Sequence, residues 1–556
     1  MTRSVTKAGI IAIDPSGVAF QILLLMHVAV IWLFPYFPSQ DGPIHLHLSF
    51  VLNHYHDPAA AVFREFYEIN SKADPNWLVY GLLSGLMRFF PAGTAEKIFL
   101  TIYSVSLPVA FRYLLESLRK ESGFFSVAIF PFVFNLFLLM GFYNFSLSFS
   151  IYFLTLGFWI RNAHRLSVMF VLMLTGLSFA LYFSHPVTLL AAFCSLAILA
   201  IYETRGCQRE DGRVESPEIL PRVTIFKKIA VLTVSFFPSF VFLALFFAGK
   251  GWLITERLPA GFLLSKMLSL FPILSLSRNE IDLTRVLAYS IVAGMVLVFM
   301  RRLKSDHQDP ADSFGWASLL FFVLSLASPQ GAAEGKFLNE RWIIFFYFSG
   351  LLWIGTQTFS ARMKKVIPAL AIGVTGILFL IRAPHWIEVN ALLHEVQSAG
   401  RQIRDNTVLL PLSLAQHGKK ADGTELSWIP APFVHASGII ASERNIVPFD
   451  NFAANSDHFP VRYRTEKNPY SHLGEWMGIE KEPPVVDIEG YARRTGRKID
   501  FVLLSGLDAE NQNLPEVQAL YGQIEKGFRL VYTSLPTGFV RLYEINELSG
   551  NAGKTQ

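Results

Sequence analysis

The chain has 556 residues, of which 52% are hydrophobic and 16% charged, with 51 phenylalanines and a mean hydropathy of +0.39. That composition describes a polytopic membrane protein. The net charge of +5 lies in short loops, not in a basic stretch interleaved with aromatics, which argues against nucleic acid as a partner. Two cysteines, Cys194 and Cys207, are too few for a disulfide framework or a thiolate metal site.

In chain order, Arg3 and Lys7 precede an apolar run near residues 18–37. No small-x-small cleavage site follows this run, so it reads as an uncleaved anchor with residues 1–17 in the cytoplasm. Further runs of roughly spanning length lie near residues 97–117, 122–140, 144–160, 166–183, 186–203, 229–248, 284–300, 313–328, 341–359 and 366–382. The stretch PNWLVYGLLSGLMRFFP, Pro75 to Pro91, is short, bracketed by prolines and carries Arg88, so it is either a span or a helix in the interface. Laid on the surface, it puts the loops LRKESG, RNAHR, ETRGCQREDGR through Lys228, RRLKSDHQDP and ARMKK on the side of Arg3 and Lys7. About 18 Lys and Arg then face inward against about 10 outward. The predicted organisation is a transmembrane domain over 18–382 with about 11 helices and interfacial helices in a first outer loop, 38–96. An outward, periplasm-like α/β domain follows over 383–556. In that tail NTVLLPLSL, KIDFVLLSGL, FRLVYTSLP and GFVRLYEIN read as strands, and AENQNLPEVQALYGQIEKG as a helix.

The same topology gathers the polar segments SQDGPIHLH, FYEINSKADPNW, GFYNFS, SHP, SLSRNEIDLTR and SPQGAAEGKFLNER on the face poorer in basic residues, which makes them candidates for a site. Taken alone, Asp41 before Gly42 and Pro43 reads as the N-cap of an interfacial helix. On a helix, however, Asp41, His45, Ser49 and His56 form one polar edge opposite Ile44, Leu48, Val51 and Leu52, and a carboxylate there can act as a general base. His45 and His47 point to different sides, which argues against joint chelation, and His47 reads as a solvated interfacial imidazole. Asp41 with His45 makes two metal ligands without a third, a weak signal.

The segments DGPIHL, FYEINSKADPNWLVYGLLSGLM leading into AEKIFLTIYSVSLPVAFRYLL, and MGFYNFSLSFSIYFL resemble a poorly characterised group of bacterial integral membrane proteins placed near the GT-C glycosyltransferases. With the first-span-then-acid order and the outward tail, the resemblance covers roughly residues 15–385. It implies transfer of a sugar from a polyprenyl-phosphate donor to a lipid or glycan acceptor of the cell envelope, at the outer face of a bacterial inner membrane. Asp41 is then the catalytic or acceptor-orienting carboxylate. No D-x-D or D-D pair stands at Asp41, which leaves a divalent cation open and no metal ligand assigned.

Such a donor has a phosphate at headgroup depth and its tail among the membrane lipids, so the site needs cations at the outer rim. Lys336 and Arg341 in EGKFLNERW are the candidates, Arg341 at a helix start where free N–H groups also favour an anion. The alternative for Arg341 is anchoring, or pairing with Glu340. Arg278, with Glu280 and Asp282, forms a second cluster whose plainer reading is internal ion pairing. His45, Asn76, Tyr143, Asn144 and Arg278 complete the candidate substrate contacts. Local roles stand beside these readings in the same segments: a helix start at Pro75, an aromatic-belt role for Trp77, turn chemistry for Gly141 and Asn144, a helix-start role for His185. Two other functions stay open, a transporter or flippase of lipid-linked glycans and a non-catalytic membrane subunit.

Overall fold

A computed structural model describes residues 15–206, 220–250, 255–304, 309–332, 335–420 and 422–546. Arg3, Lys7 and Cys207 lie outside them. The helices are α1 (Pro15–Leu33), α2 (Gly42–His54), α3 (Ala61–Phe66), α4 (Leu78–Met87), α5 (Ala92–Leu118), α6 (Leu136–Leu139), α7 (Tyr143–Asn162), α8 (Val168–Ser184), α9 (Pro186–Gly206) and α10 (Leu220–Ala248). There follow α11 (Ala260–Leu268), α12 (Ile281–Leu303), α13 (Ser313–Ala327), α14 (Leu338–Gly355) and α15 (Ala361–Ala399). In the C-terminal unit these are joined by α16 (Ser437–Ala441), α17 (Phe452–Asn455), α18 (Pro469–His472), α19 (Ile488–Thr495) and α20 (Pro515–Gly527).

Among the described residues, seven helical stretches are long and apolar enough to cross a membrane: Ser16–Leu33, Ala92–Leu118, Lys120–Leu139, Ile225–Ala248, Arg278–Leu303, Pro310–Ala327 and Ala361–Gln402. The other predicted apolar runs fall on α7, α8, α9 and α14. The ambiguous Pro75–Pro91 stretch forms α4, ten residues long. At 1.5 Å per residue that is about half the hydrocarbon thickness, so α4 cannot cross by itself.

The predicted strands and helix of the tail are present. Strands β1 (Tyr67–Ile69) and β4 (Val461–Tyr463) form a separate antiparallel pair. Strands β2 (Thr407–Ser413), β3 (Ile446–Pro448), β5 (Phe501–Ser505), β6 (Phe528–Thr533) and β7 (Val540–Ile545) form one sheet in the order β3-β2-β5-β7-β6. Its β3-β2-β5 part is parallel and buried, as the unbroken apolar run VLLPLS demands.

Two features position the site. The 39-residue α15 runs without a break across residues 382 and 383, where the composition changes. Its Val389, Leu393 and Val396 join the core of Leu409, Phe501 and Leu503, so one rod belongs to both units. In addition, the first loop is built into the C-terminal unit through the β1–β4 pair. Helix α2 lies between two cores: Leu46 faces the helical bundle, while Ile44, Leu48 and Val51 pack with Val408, Leu410 and Val447. Covered on both sides, α2 is more deeply buried than an interfacial helix with a solvated edge.

Candidate functional site

The Asp41-Gly42-Pro43 backbone is gripped from two sides. On the bundle side, Asn135 caps α6 by accepting from Leu138 N, and the carbonyls of Leu139 and Met140 then accept from Gln40 N and Asp41 N. The chain reverses at Gly141, whose φ of +84° favours glycine. A Cβ at Gly141 would stand 2.6 Å from Gly42 N and 2.7 Å from Asp41 N. On the other side, a Cβ at Gly438 in α16 would stand 2.5 Å from the carbonyl carbon of Pro43. Gly141→Ala therefore combines an unfavourable φ with a clash against backbone. It is expected to cost about 2 kcal/mol or more, read as a lowered thermal midpoint of the detergent-solubilised chain.

Asp41 is the first residue before α2, yet its side chain makes no capping hydrogen bond. Its carboxyl is 3% exposed, accepts from Gln40 Nε2 at 3.0 Å on Oδ1, and has His435 Nε2 at 3.8 Å from the same oxygen. Gln40 in turn accepts from Ala431 N, which ties this corner to the C-terminal unit. Burial pushes the Asp41 carboxyl up to about 8; the Gln40 hydrogen bond and the Lys336 charge lower it, and the Glu480 charge raises it. The capping reading is thus corrected for the side chain: Asp41 stands at the N-cap position and its carbonyl accepts from His45 N at 3.3 Å, but its carboxyl is buried and caps nothing. Asp450, which accepts from Ser437 Oγ at 2.7 Å, is raised by burial to about 7. Glu480, which accepts from Tyr470 OH at 2.7 Å, is also raised by burial.

His45 lies one turn along α2, with Nδ1 2.6 Å from Tyr80 OH; burial lowers it to about 4. Ser49 donates back to the His45 carbonyl, and His56 is exposed beyond the helix end, so the predicted polar edge does not converge. His47 is fully buried, contrary to the solvated reading, because the C-terminal unit covers α2. One ring nitrogen meets the Ile446 carbonyl at 3.2 Å and the other Asn451 Nδ2 at 3.1 Å. Tyr143 OH donates to Glu96 Oε1 at 2.5 Å and lies 2.9 Å from Ser39 Oγ. A Cβ at Gly42 would meet that hydroxyl and Ser39, which explains the glycine after Asp41. Asn144 accepts from Val79 N at 2.9 Å and donates to the Asn76 carbonyl at 2.8 Å, so its amide is spent on seating α4. Asn76 itself has a φ of 67° and supplies that carbonyl. Trp77 donates to the His458 carbonyl at 3.4 Å, a tie to the C-terminal unit.

Arg341 is 7% exposed and stands over Phe137, Phe142 and Phe145 at 5.9, 5.0 and 4.5 Å. Its Nη1 is 2.5 Å from His185 Nε2; a guanidinium has donors only, so His185 presents a lone pair. The alternative of pairing with Glu340 is not realised, since Glu340 binds Lys266. Among the described residues no carboxylate oxygen lies within 4.0 Å of the Arg341 guanidinium. Lys336, exposed, accepts from Arg341 Nε through its carbonyl at 3.2 Å. Asp41 and Arg341 therefore flank the same Leu136–Asn144 reversal, one by backbone hydrogen bonds and the other by ring contacts. The second predicted cluster is taken apart. Glu280 binds Arg382 at 2.7 Å, Asp282 faces outward beside Arg285, and Arg278 stands 5.9 Å over Trp428.

Among the described residues no three His, Cys, Asp or Glu side chains are grouped to hold a metal ion. Sequence reasoning did not single out His435, Glu96, Gln40, Glu480 or Lys266. All but Gln40 reach the site from distant parts of the chain, and Gln40 shows its role only once the Ala431 segment is beside it.

No family model matches the chain, and no curated protein matches it. Among solved structures it is similar to the archaeal oligosaccharyltransferase AglB from Archaeoglobus fulgidus in complex with an inhibitory peptide and a dolichol-phosphate. The similarity has 12% identity and a TM-score of 0.41 over 97% of this chain and 75% of that one.

Proposed function

We propose that this chain is a membrane glycosyltransferase that moves a sugar from a polyprenyl-phosphate carrier to a cell-envelope acceptor at the outer face of the inner membrane. One observation carries the reading: a buried carboxyl that makes no capping hydrogen bond, Asp41, and a buried guanidinium with no carboxylate oxygen within 4.0 Å among the described residues, Arg341, are held on two flanks of one backbone reversal. Burying a cation unpaired is costly, so the place at Arg341 is suited to an anion brought by a ligand. A carrier phosphate satisfies it, with exposed Lys336 as the second cation and the surrounding phenylalanines facing the apolar end of the carrier.

In the proposed step the acceptor hydroxyl oxygen forms a bond to the anomeric carbon of the sugar. The bond from that carbon to the phosphate oxygen breaks, and its electron pair goes to the phosphate beside Arg341 and Lys336. The hydroxyl proton goes to the ionised Asp41 carboxylate. A transport reading would draw on charged groups within the bundle, but the buried Arg382 is closed on Glu280 and two carbonyls.

The test compares envelope glycans and glycolipids in a deletion strain, the strain restored with the native chain, and one restored with Arg341→Gln. A charge-assisted contact to phosphate contributes about 1.5–3 kcal/mol, so the Gln chain should bind donor about 10- to 100-fold more weakly. The expected result is a missing sugar with the unused lipid-linked donor accumulating. A deletion strain with an unchanged profile would remove the proposal.

A further inference from the structure

We propose that His435, supplied by the C-terminal unit, is the positioning residue of Asp41: its Nε2–H closes on Oδ1 of the ionised carboxylate and leaves Oδ2 for the acceptor proton. The catalytic meaning of this pair rests on the transferase reading; the pairing itself does not. The imidazole and the carboxyl are 2% and 3% exposed, and the 3.8 Å between them is longer than a hydrogen bond. It is also shorter than the span of two hydrogen bonds through a water, so an approach of about 1 Å makes the contact. Gln40 already donates to Oδ1, and Oδ2 has no hydrogen-bond partner among the described residues. His435 Nδ1 is buried without a hydrogen-bond partner among the described residues, and the Asp450 backbone acts on the same imidazole. Three residues on, Gly438 lies against the Pro43 carbonyl carbon and Ile44 N, so backbone packing sets the spacing of His435 and Asp41.

The pair has titratable neighbours on every side. These are His45 on α2, Tyr80 on α4, Tyr143 on α7, Lys336 before α14, Asp450 after β3 and Glu480 after α18. Asp450, raised by burial to about 7, titrates in the range of interest, and burial raises Glu480 as well, so the experiment must subtract both.

The experiment is thermal unfolding of the full-length chain in detergent from pH 5 to 10, for native protein, Asp41→Asn, His435→Phe, His435→Gln and the Asp41→Asn/His435→Phe double variant. Stability falls with pH while Asp41 keeps its proton in the folded state, and Asp41→Asn removes that part of the fall. Removing a donor to the carboxylate makes ionisation harder. His435→Phe should therefore move the upper end of the Asp41-dependent fall upward by about one to two pH units. His435→Gln, which keeps an N–H, should restore the native profile, and the double variant should match Asp41→Asn. If His435→Phe fails to fold, Gly438→Ala tests the same gap by pushing α16 off Pro43, with the same upward shift expected. A His435→Phe profile that superimposes on the native one, or a shift that persists without Asp41, overturns the proposal. Should the shift be found while Asp41→Asn restores the envelope glycans, the pair stands and the catalytic role of Asp41 falls.

Discussion

Asp41→Asn is expected to abolish transfer while leaving the chain inserted and more stable at neutral pH than the native protein. The amide keeps the size of the side chain and an oxygen for Gln40, but it takes no proton from an acceptor hydroxyl. The stability gain follows from linkage. The unfolded carboxyl loses its proton near its ordinary value of 3.8, whereas burial holds the folded one to about 8. Between those values the folded state binds more protons, so native stability falls as pH rises, and the loss is complete above about 8. Each unit of that window is worth about 1.4 kcal/mol, and the Asn chain should not show it. Thermal unfolding from pH 4 to 8 measures the gain, and envelope glycan profiles of the restored strain measure the loss of transfer. On the proposed transferase reading, turnover of the native chain at low substrate should rise as pH approaches 8, since Asp41 must lose this proton to act as base. An Asn chain that restores the full profile would leave Asp41 without a chemical role.

Breaking the Glu280–Arg382 pair is the largest expected loss of stability. Both side chains are almost wholly buried, 0% and 3% exposed. Glu280 also accepts from Ser275 Oγ, Leu276 N and Ser277 N, and Arg382 donates to the carbonyls of Phe134 and Ile273. The network joins α15 to the start of α12 and to the residue before Asn135, which caps the reversal under Asp41. Glu280→Ala or Arg382→Ala alone leaves an uncompensated charge and should cost about 3–5 kcal/mol. Glu280→Leu with Arg382→Leu should cost less than either alone, because no charge remains buried. Denaturation of the purified chain, with the three variants side by side, checks the order. A double variant worse than both single variants would show that the backbone contacts, not the charges, dominate.

What could be read from the sequence was whatever local pattern controls. Apolar runs of spanning length became helices because a helix closes its own backbone hydrogen bonds within one segment. The tail strands followed from β-branched and apolar runs between turn residues, and α20 from its periodicity. Asp41, Lys336 and Arg341 stood out because polar residues next to spans have few structural reasons to be there. Contact and burial were set by segments hundreds of residues apart. His47 reads as solvated until β3 and Asn451 close over α2. Glu340 reads as the partner of Arg341 until Lys266 takes it, and Arg278 with Glu280 reads as one cluster until Arg382 removes the acid. His435 has no local signature at all: only the seating of Gly438 on Pro43 brings it to Asp41. The sequence alone determined which segments are apolar, which way each local element folds and where a stray carboxylate stands, since those depend on neighbours along the chain. Only the tertiary structure decided which charges are buried, paired or left uncompensated, because that depends on what the rest of the chain places against them.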